Sequence, residues 1–334
     1  MRISLGTVNI NDKAKRLMKK VLDDGKIGQS EYIEEYEEKF AKFIGSKYAI
    51  AVSSGTMADT IALATLKHFF PLKRKVIVPA LTFIAQINSV IYNHLRPVFV
   101  DTGQSMVGDD NTLCSFPVDL LGNPFTERVG KRVIEDACEA LGTKKDGKYC
   151  GTRGDMGTFS FFPSHSISTG EGGMIVTDNK KYADTARRLR TQGRRGDSVE
   201  DKFKFDEIGF NGRMTTMQAV ICIGVMDDLP EILERRAVNF RYMDSSFDEI
   251  VAHGFPVEYR TKKERDEKLR ELTKKGIECR KVFSCIPTDE KAYAFLAHKR
   301  GEFPQAERIA DHVLYVPCHQ NLSKREMDFI LKNL

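Results

Sequence analysis

Nothing in these 334 residues is built to enter a membrane. The apolar run Ala219 to Met226, interrupted by Gly224, falls far short of the ~20 residues that a spanning helix needs. The opening Met-Arg-Ile-Ser-Leu-Gly lacks the apolar core of a secretory signal, so a cytoplasmic protein is expected. There is no Cys-x-x-Cys pair. The seven cysteines (114, 138, 150, 222, 279, 285 and 318) are scattered and odd in number, which fits reduced, buried thiols better than a disulfide framework or a metal site. Cys318 and His319 are neighbours whose side chains point apart in most backbones, so no metal is expected there either. Neither sign of charge dominates: 52 lysines and arginines face 47 acids, a net charge of +5, and a nucleic-acid-binding surface is not suggested. Internal repeats and low-complexity segments are also missing.

What is present reads as a globular chain, 41% hydrophobic and 30% charged, and longer than one core usually organises. We expect a large domain over 1–236 and a smaller C-terminal α+β domain over 237–334, with the N-terminal segment packing on the smaller one. Tyr32, Tyr36, Phe40 and Phe43 recur at helical spacing within 31–44, and Gly45 supplies a stop. The apolar stretch Tyr48 to Val52 then runs into Ser53-Ser54-Gly55-Thr56 and a periodic segment from Met57 to Leu66. Strand, small-residue turn and helix in succession leave backbone N–H groups free at a helix N-terminus, a phosphate site or an ordinary cap. Strand-like runs recur at 76–79, 97–101 and 133–136, with helical segments between several of them. This alternation predicts an α/β fold with a mostly parallel sheet and ligands at the strand carboxyl ends, where Asp101 and Asp136 lie.

Further on, Phe159 to Phe162 and Met174 to Val176 bracket a polar loop that carries His165 and three glycines. Arg187, Arg188, Arg190, Arg194 and Arg195 follow, readable as a solvated helix face or as a site for a diphosphate.

The stretch Thr158-Phe-Ser-Phe-Phe-Pro-Ser-His-Ser-Ile-Ser-Thr-Gly-Glu-Gly-Gly173 resembles the lysine-bearing loop of the sugar aminotransferase family of fold-type I pyridoxal phosphate (PLP) enzymes, the DegT and StrS group. There the pattern is Ser-Phe, a few residues, Lys, then Gly-Glu-Gly-Gly. Here His165 stands in the lysine's place. The resemblance extends over nearly the whole chain, through Ala51-Val-Ser-Ser-Gly-Thr56, Val78-Pro-Ala-Leu-Thr-Phe83, Pro97-Val-Phe-Val-Asp101, Ile134-Glu-Asp-Ala-Cys-Glu-Ala-Leu-Gly142, Gly209-Phe-Asn-Gly-Arg-Met214 and Val316-Pro-Cys-His-Gln-Asn-Leu-Ser323, all in the family's order. Two stretches, 102–132 and the middle of the small domain, are shorter than is usual there.

Carried over residue by residue, the resemblance implies a set of roles. Asp136 would pair with the cofactor's pyridine nitrogen and keep the ring an electron sink. The backbone of Gly55, Thr56 and Met57, with the Ser160 hydroxyl, would hold its phosphate. Phe83 would stack on the ring and Glu139 would touch its 3-hydroxyl side. Asn211 would reach the phosphate of a neighbouring subunit, implying a homodimer with shared sites, while Arg213 and Arg280 would meet substrate. Plain structural roles compete: a helix cap for Asp136, core for Phe83, a surface ion pair for Arg280.

Imidazole forms no stable Schiff base with PLP, but with an ordinary pKa of ~6.5 it can move a proton. The resemblance therefore implies a noncovalent cofactor, pyridoxamine phosphate (PMP), condensing with the ketone of a nucleotide-linked 4-keto-6-deoxy sugar. Removal of the C4′ proton by His165 would expel the C3 hydroxyl, and L-glutamate would remake PMP. The same replacement marks the family's 3-dehydratases, enzymes of deoxysugar and lipopolysaccharide biosynthesis. One kind carries an iron–sulfur cluster on cysteines that follow the arginine loop; no cysteine lies between Gly193 and Asn211, so the cluster-free kind acting on a GDP-linked sugar is the expectation. Those enzymes have a second histidine directly after the first, where this chain has Ser166. An aminotransferase in which histidine replaces the lysine, and a non-catalytic relative, are the alternatives.

Overall fold

Helix α1 (Asp12–Asp23) leads into α2 (Glu31–Ile44), which Ser30 caps by accepting the Tyr32 N–H and which ends at Gly45 in the left-handed region, φ 78°. That is the helix the aromatic spacing predicts. Tyr36 and Phe40 face inward and meet Phe159 and Phe161 edge to face, with ring centroids 5.2–5.8 Å apart, so α2 buttresses the strand behind the polar loop. The computed structural model describes residues 2–196, 198–245 and 250–334.

From β1 (Tyr48–Val52) the chain alternates through α3 (Gly55–Phe69), β2 (Lys75–Pro79), α4 (Ile84–Tyr92) and β3 (Arg96–Val100). It continues as β4 (Thr112–Ser115), β5 (Ile134–Asp136), a small hairpin of β6 (Lys144–Lys145) and β7 (Lys148–Tyr149), then β8 (Met156–Ser160) and β9 (Gly173–Thr177). Strands β3, β2 and β4 pair in parallel; β1, β9, β8 and β5 form a second group. Parallel bridges Ser115–Val133 and Val118–Asp136 join the two groups. The order is β3-β2-β4-β5-β8-β9-β1, and only β9 runs against its neighbours. The expected mostly parallel sheet is present, and its carboxyl edge gathers the N-terminus of α3, Asp136 and Ser160 on one side.

Two strands of this sheet differ from the sequence reading. β4 has no marked apolar run and went unread. β8 begins three residues before Phe159 because Gly157 and Thr158 are buried in mid-sheet; a Cβ on Gly157 would sit 1.9 Å from the Gly151 carbonyl oxygen, so a residue that looks like a turn signal is there for close approach.

Helices α5 (Lys180–Arg190), α6 (Thr216–Met226) and α7 (Leu229–Met243) follow. After them, β10 (Phe255–Glu258), α8 (Lys262–Lys274), β11 (Arg280–Lys281), α9 (Ile286–Asp289), α10 (Pro304–His312), β12 (Val313–Val316) and α11 (Lys324–Asn333) build an antiparallel sheet β10-β12-β11 with helices against it. Ile3 bridges Ile277 and packs with Phe240, Leu272, Leu314 and Ile330 in this lobe. Val282, Ile286, Tyr293 and Phe303 instead join the core beneath the large sheet. Asp101, at the end of β3, caps α10 by accepting the Gln305 and Ala306 N–H groups at 2.9 and 2.7 Å, a structural use of an acid that lies at a strand carboxyl end.

The arginines near 190 are ion-paired: Arg187 and Arg190 with buried Glu37, Arg188 with Glu207, Arg195 with Asp206. The Arg195 pair is exposed and Arg187 and Arg188 are partly so, in keeping with a solvated face that is also ion-paired.

The short connection between β3 and β5 is held by Arg153. Its guanidinium bonds Asp119 at 2.7 Å and Glu135 at 2.6 Å, both carboxylates fully buried, donates to the Phe125 carbonyl and lies 3.9 Å over the Phe125 ring. Arg153→Met would leave two buried acids facing each other without their cation. The expected cost is about 3–5 kcal/mol, read as a drop in the urea midpoint.

Candidate active site

Ser54 begins α3 as its N-cap and accepts the Met57 N–H at 3.1 Å. Gly55 fits there because Ser160, at the end of β8, comes so close that a Cβ on residue 55 would lie 2.8 Å from the serine's own Cβ. A Cβ on Gly173 would in turn strike the Ser54 carbonyl at 2.4 Å. Three backbone segments are thus pressed together at the sheet edge, leaving the α3 N-terminus beside the Ser160 hydroxyl. Such a terminus attracts a phosphate.

These groups open onto a cavity of about 320 Å³. Gly55, Thr56, Phe83, Asp136, Glu139, Ser160, His165 and Arg280 line it, so most of the residues named from the sequence meet there. Three do not. Met57 has its N–H occupied by Ser54 and its side chain packed toward Gly212, so it is removed from the phosphate group. Arg213 bridges Val52 outside the cavity, and Asn211 lies exposed on the strap that pairs with Thr191. Phe83 is half exposed and leans on Phe283 at 5.2 Å. Among the described residues no lysine lines this cavity.

Asp136 accepts the Cys138 N–H at 3.1 Å and sits 3.5 Å from the Gln86 amide nitrogen. Beside it stands Asp59, an acid in an otherwise apolar helix face, buried with Oδ1 unpartnered. Burial and the neighbouring Asp136 charge push Asp59 well above the usual carboxylate range. Burial raises Asp136 as well, with the Cys138 hydrogen bonds opposing it, so of the pair Asp136 is the readier to ionise and Asp59 the one that keeps its proton. Asp136 is thus the carboxyl that a protonated pyridine nitrogen would meet and hold ionised.

His165 sits in a turn after β8, its N–H on the Phe162 carbonyl, half-buried, with Nδ1 shielded from solvent and unpartnered. Burial, then the charges of Arg236 and Arg280, lower it to about 3. This corrects the expectation of an ordinary imidazole: at neutral pH His165 is uncharged, and it holds a proton less tightly than a free imidazole does. Glu139 moves the other way, up to about 7 by burial. Leu121 N–H holds its Oε2 at 2.8 Å.

The sequence reading missed Asp59, Arg236, Tyr315 and His253, of which all but Arg236 line the cavity. Asp59 was legible as the one acid within Met57 to Leu66. His253 carried no motif and arrives from a distant segment.

Residues 8–112 and 123–334 match the model of the DegT/DnrJ/EryC1/StrS aminotransferase family. The chain belongs to this family. It is 32% identical to a GDP-perosamine synthase of Escherichia coli O157:H7, over 98% of this chain and 96% of that one. It is 30% identical to a GDP-4-keto-6-deoxy-D-mannose 3-dehydratase of Yersinia pseudotuberculosis, over 93% and 92%. A crystal structure of GDP-4-keto-6-deoxymannose-3-dehydratase with a trapped PLP-glutamate geminal diamine superposes with a TM-score of 0.87 at 27% identity, covering both chains fully. The family member described here is thus a PLP-dependent, sugar-modifying enzyme of the fold its sequence predicts. No helix among the described residues is long and apolar enough to cross a membrane.

The Asp59–Asp136 pair makes a pH-dependent prediction. A carboxyl group whose pKa is raised on folding weakens the folded state above its unfolded value near 4, increasingly so until it ionises in the fold. Asp59→Asn should therefore stabilise the cofactor-free protein more at pH 8 than at pH 5, by at most about 1.4 kcal/mol for each pH unit in between, read from the urea midpoints of variant and native protein at the two pH values.

Proposed function

We propose that this chain removes the C3 hydroxyl of a GDP-linked 4-keto-6-deoxyhexose with PMP as cofactor, L-glutamate regenerating it and ammonia leaving. The observation that carries the reading is the half-buried, neutral His165 in the place of the Schiff-base lysine, in a cavity that no lysine lines among the described residues. The other residues fit a phosphopyridine: the N–H groups of Gly55 and Thr56 at the α3 N-terminus with the Ser160 hydroxyl for the phosphate, Asp136 for the ring nitrogen, Phe83 for a ring face. Bound PMP would supply the amine that condenses with the sugar ketone and the electron sink that lets the C3 hydroxyl depart.

The chain's own part is to hold and to move protons. His165, neutral across the working range, takes the proton at C4′. Glu139, near its midpoint at neutral pH, holds the proton that a leaving hydroxide needs. Arg280 on the cavity wall meets the anionic substrate. Asn211 belongs to a second copy's site: the strap leading to it exposes Val199, Phe203, Phe205 and Ile208, an apolar surface that a homodimer would cover. No iron–sulfur cluster enters this reading.

Transamination is the second reading. Two observations favour it: the similarity to a GDP-perosamine synthase, and Ser166 where a second consecutive histidine would stand.

Two measurements separate them. Incubation with PLP and reduction by borohydride should add no pyridoxyl mass to the native protein and should add it to His165→Lys. With GDP-4-keto-6-deoxymannose and glutamate, the native protein should release ammonia and a sugar lighter by one oxygen. A reduced adduct on a native lysine, together with an amino-sugar product, would overturn dehydration in favour of transamination.

A further inference from the structure

Between α7 and β10 the chain passes through Val251-Ala252-His253-Gly254, a segment stitched into the large lobe. His253 N–H donates to the Leu121 carbonyl at 3.2 Å, and Val251 N–H to the Thr143 hydroxyl at 3.0 Å. Gly122, at φ 92°, lies so near that a Cβ would meet the Val251 carbonyl oxygen at 2.6 Å. The compact turn at 120–122, part of the connection that looked short in the sequence, is what lets this segment in.

The segment delivers one imidazole. The His253 ring is fully buried, lines the cavity, and stands 4.8 Å from the His165 ring, centroid to centroid, with the planes 47° apart. That separation is too long for face-to-face stacking and short enough to bring ring nitrogens within N–H···N reach on a small rotation. On its other side, His253 Nε2 is 3.7 Å from Glu139 Oε1. Both rings are anchored from behind by one group: the buried Arg236 guanidinium donates to the carbonyls of Ala252 and Ser164, the residues just before His253 and His165, at 3.2 and 3.5 Å. Tyr315 and Arg280 complete the surroundings, the tyrosine ring 6.0 Å from that of His253.

We propose that His253 is the missing second imidazole of this active site, a positioning and proton-relay partner that connects His165 to Glu139. The assignment rests on the reading of His165 as the group that moves the C4′ proton, and it replaces a histidine adjacent in sequence by one adjacent in space. Protons balance at every step. When His165 takes a proton on one ring nitrogen it gives up the proton on the other to His253, which passes its own Nε2 proton to the Glu139 carboxylate. Run in reverse, the relay returns a proton from Glu139 to the reacting carbon or leaving oxygen. No oxidant or further reactant is needed. His165 Nδ1, buried and unpartnered, has a hydrogen bond still to make.

The first test needs neither cofactor nor turnover. In cofactor-free protein labelled in histidine, with the signals assigned through His165→Asn and His253→Phe, the ring resonances of His165 and His253 should both step near pH 7 as Glu139 changes charge. Glu139→Gln should erase both steps; His253→Phe should erase that of His165. A His165 signal that keeps its step in His253→Phe, or lacks one in the native protein, overturns the relay.

The second test follows the conversion of bound PLP to PMP by glutamate in a single turnover, a half-reaction shared by dehydration and transamination. His253→Gln and Glu139→Gln should each slow it by about 10²-fold or more, and the double variant should be no slower than either. Multiplying losses would reduce His253 to a packing residue. His253→Gln keeps a polar side chain of similar reach, so it guards against a phenylalanine variant that fails to fold. An amino-sugar product alongside intact coupling would overturn the dehydratase reading and leave this assignment standing.

Discussion

A guanidinium sealed from water is the constraint on which the rest of this site depends. Arg236 is fully buried, and its acceptors are the Gln320 side-chain oxygen and the backbone carbonyls of Ala252 and Ser164. Burial lowers it only to about 10, so it stays charged at any working pH. Burying such a charge against dipoles alone is costly, which ties three segments to one point: helix α7, the loop after β8, and the strand entry at 251–254. The same charge penalises a proton on either histidine. Geometry and protonation state come from one side chain.

The phosphate end of the cavity depends on something different, the absence of side chains. Gly55 admits Ser160, Gly173 admits Ser54, and between them the α3 N-terminus lies at the carboxyl edge of the sheet. Neither glycine is needed for a left-handed turn; each is needed because another backbone is there. Behind this edge the aromatic cluster of Tyr36, Phe40, Phe159 and Phe161 stiffens β8, so the Ser160 hydroxyl and the turn that carries His165 are held from the core side. Arg153 does the corresponding work for β5, whose last residue is Asp136.

Much of this was legible in the chain because it is local. Helix α2 shows in its aromatic spacing and its glycine stop, the β1-turn-α3 unit in its small residues, and the His165 loop between two apolar strands. What stayed hidden is tertiary. β4 lacks a run of its own because it is short and packed in mid-sheet. Met57 looked like a phosphate ligand until Ser54 proved to own its N–H. Arg236 and His253 could not be read at all, since a buried arginine that bonds carbonyls looks like any helical arginine, and a lone histidine between alanine and glycine signals nothing. Asp59 is the intermediate case: an acid on an apolar helix face signals something buried, but only the fold reveals Asp136 as its neighbour.

The cavity inverts the usual order of protonation, and that inversion argues for the chemistry. In water a carboxylic acid loses its proton well before an imidazolium does. Here Glu139 rises to about 7 while His165 falls to about 3, so a proton taken up at the uncharged imidazole comes to rest on the carboxyl. A lysine in the place of His165 would need either a covalent partner to remove its charge or an acid to offset Arg236 and Arg280. A neutral imidazole needs neither. Arg280, on the cavity wall and paired with Glu278 at 3.1 Å, is the cation placed to attract what the reading requires the cavity to hold, a sugar nucleotide and the carboxylates of glutamate. With the cofactor released from a covalent anchor, the residue at 165 serves only the proton. A site in which the base is neutral and the acid is a carboxyl is suited to taking a proton from carbon while giving one to a departing oxygen.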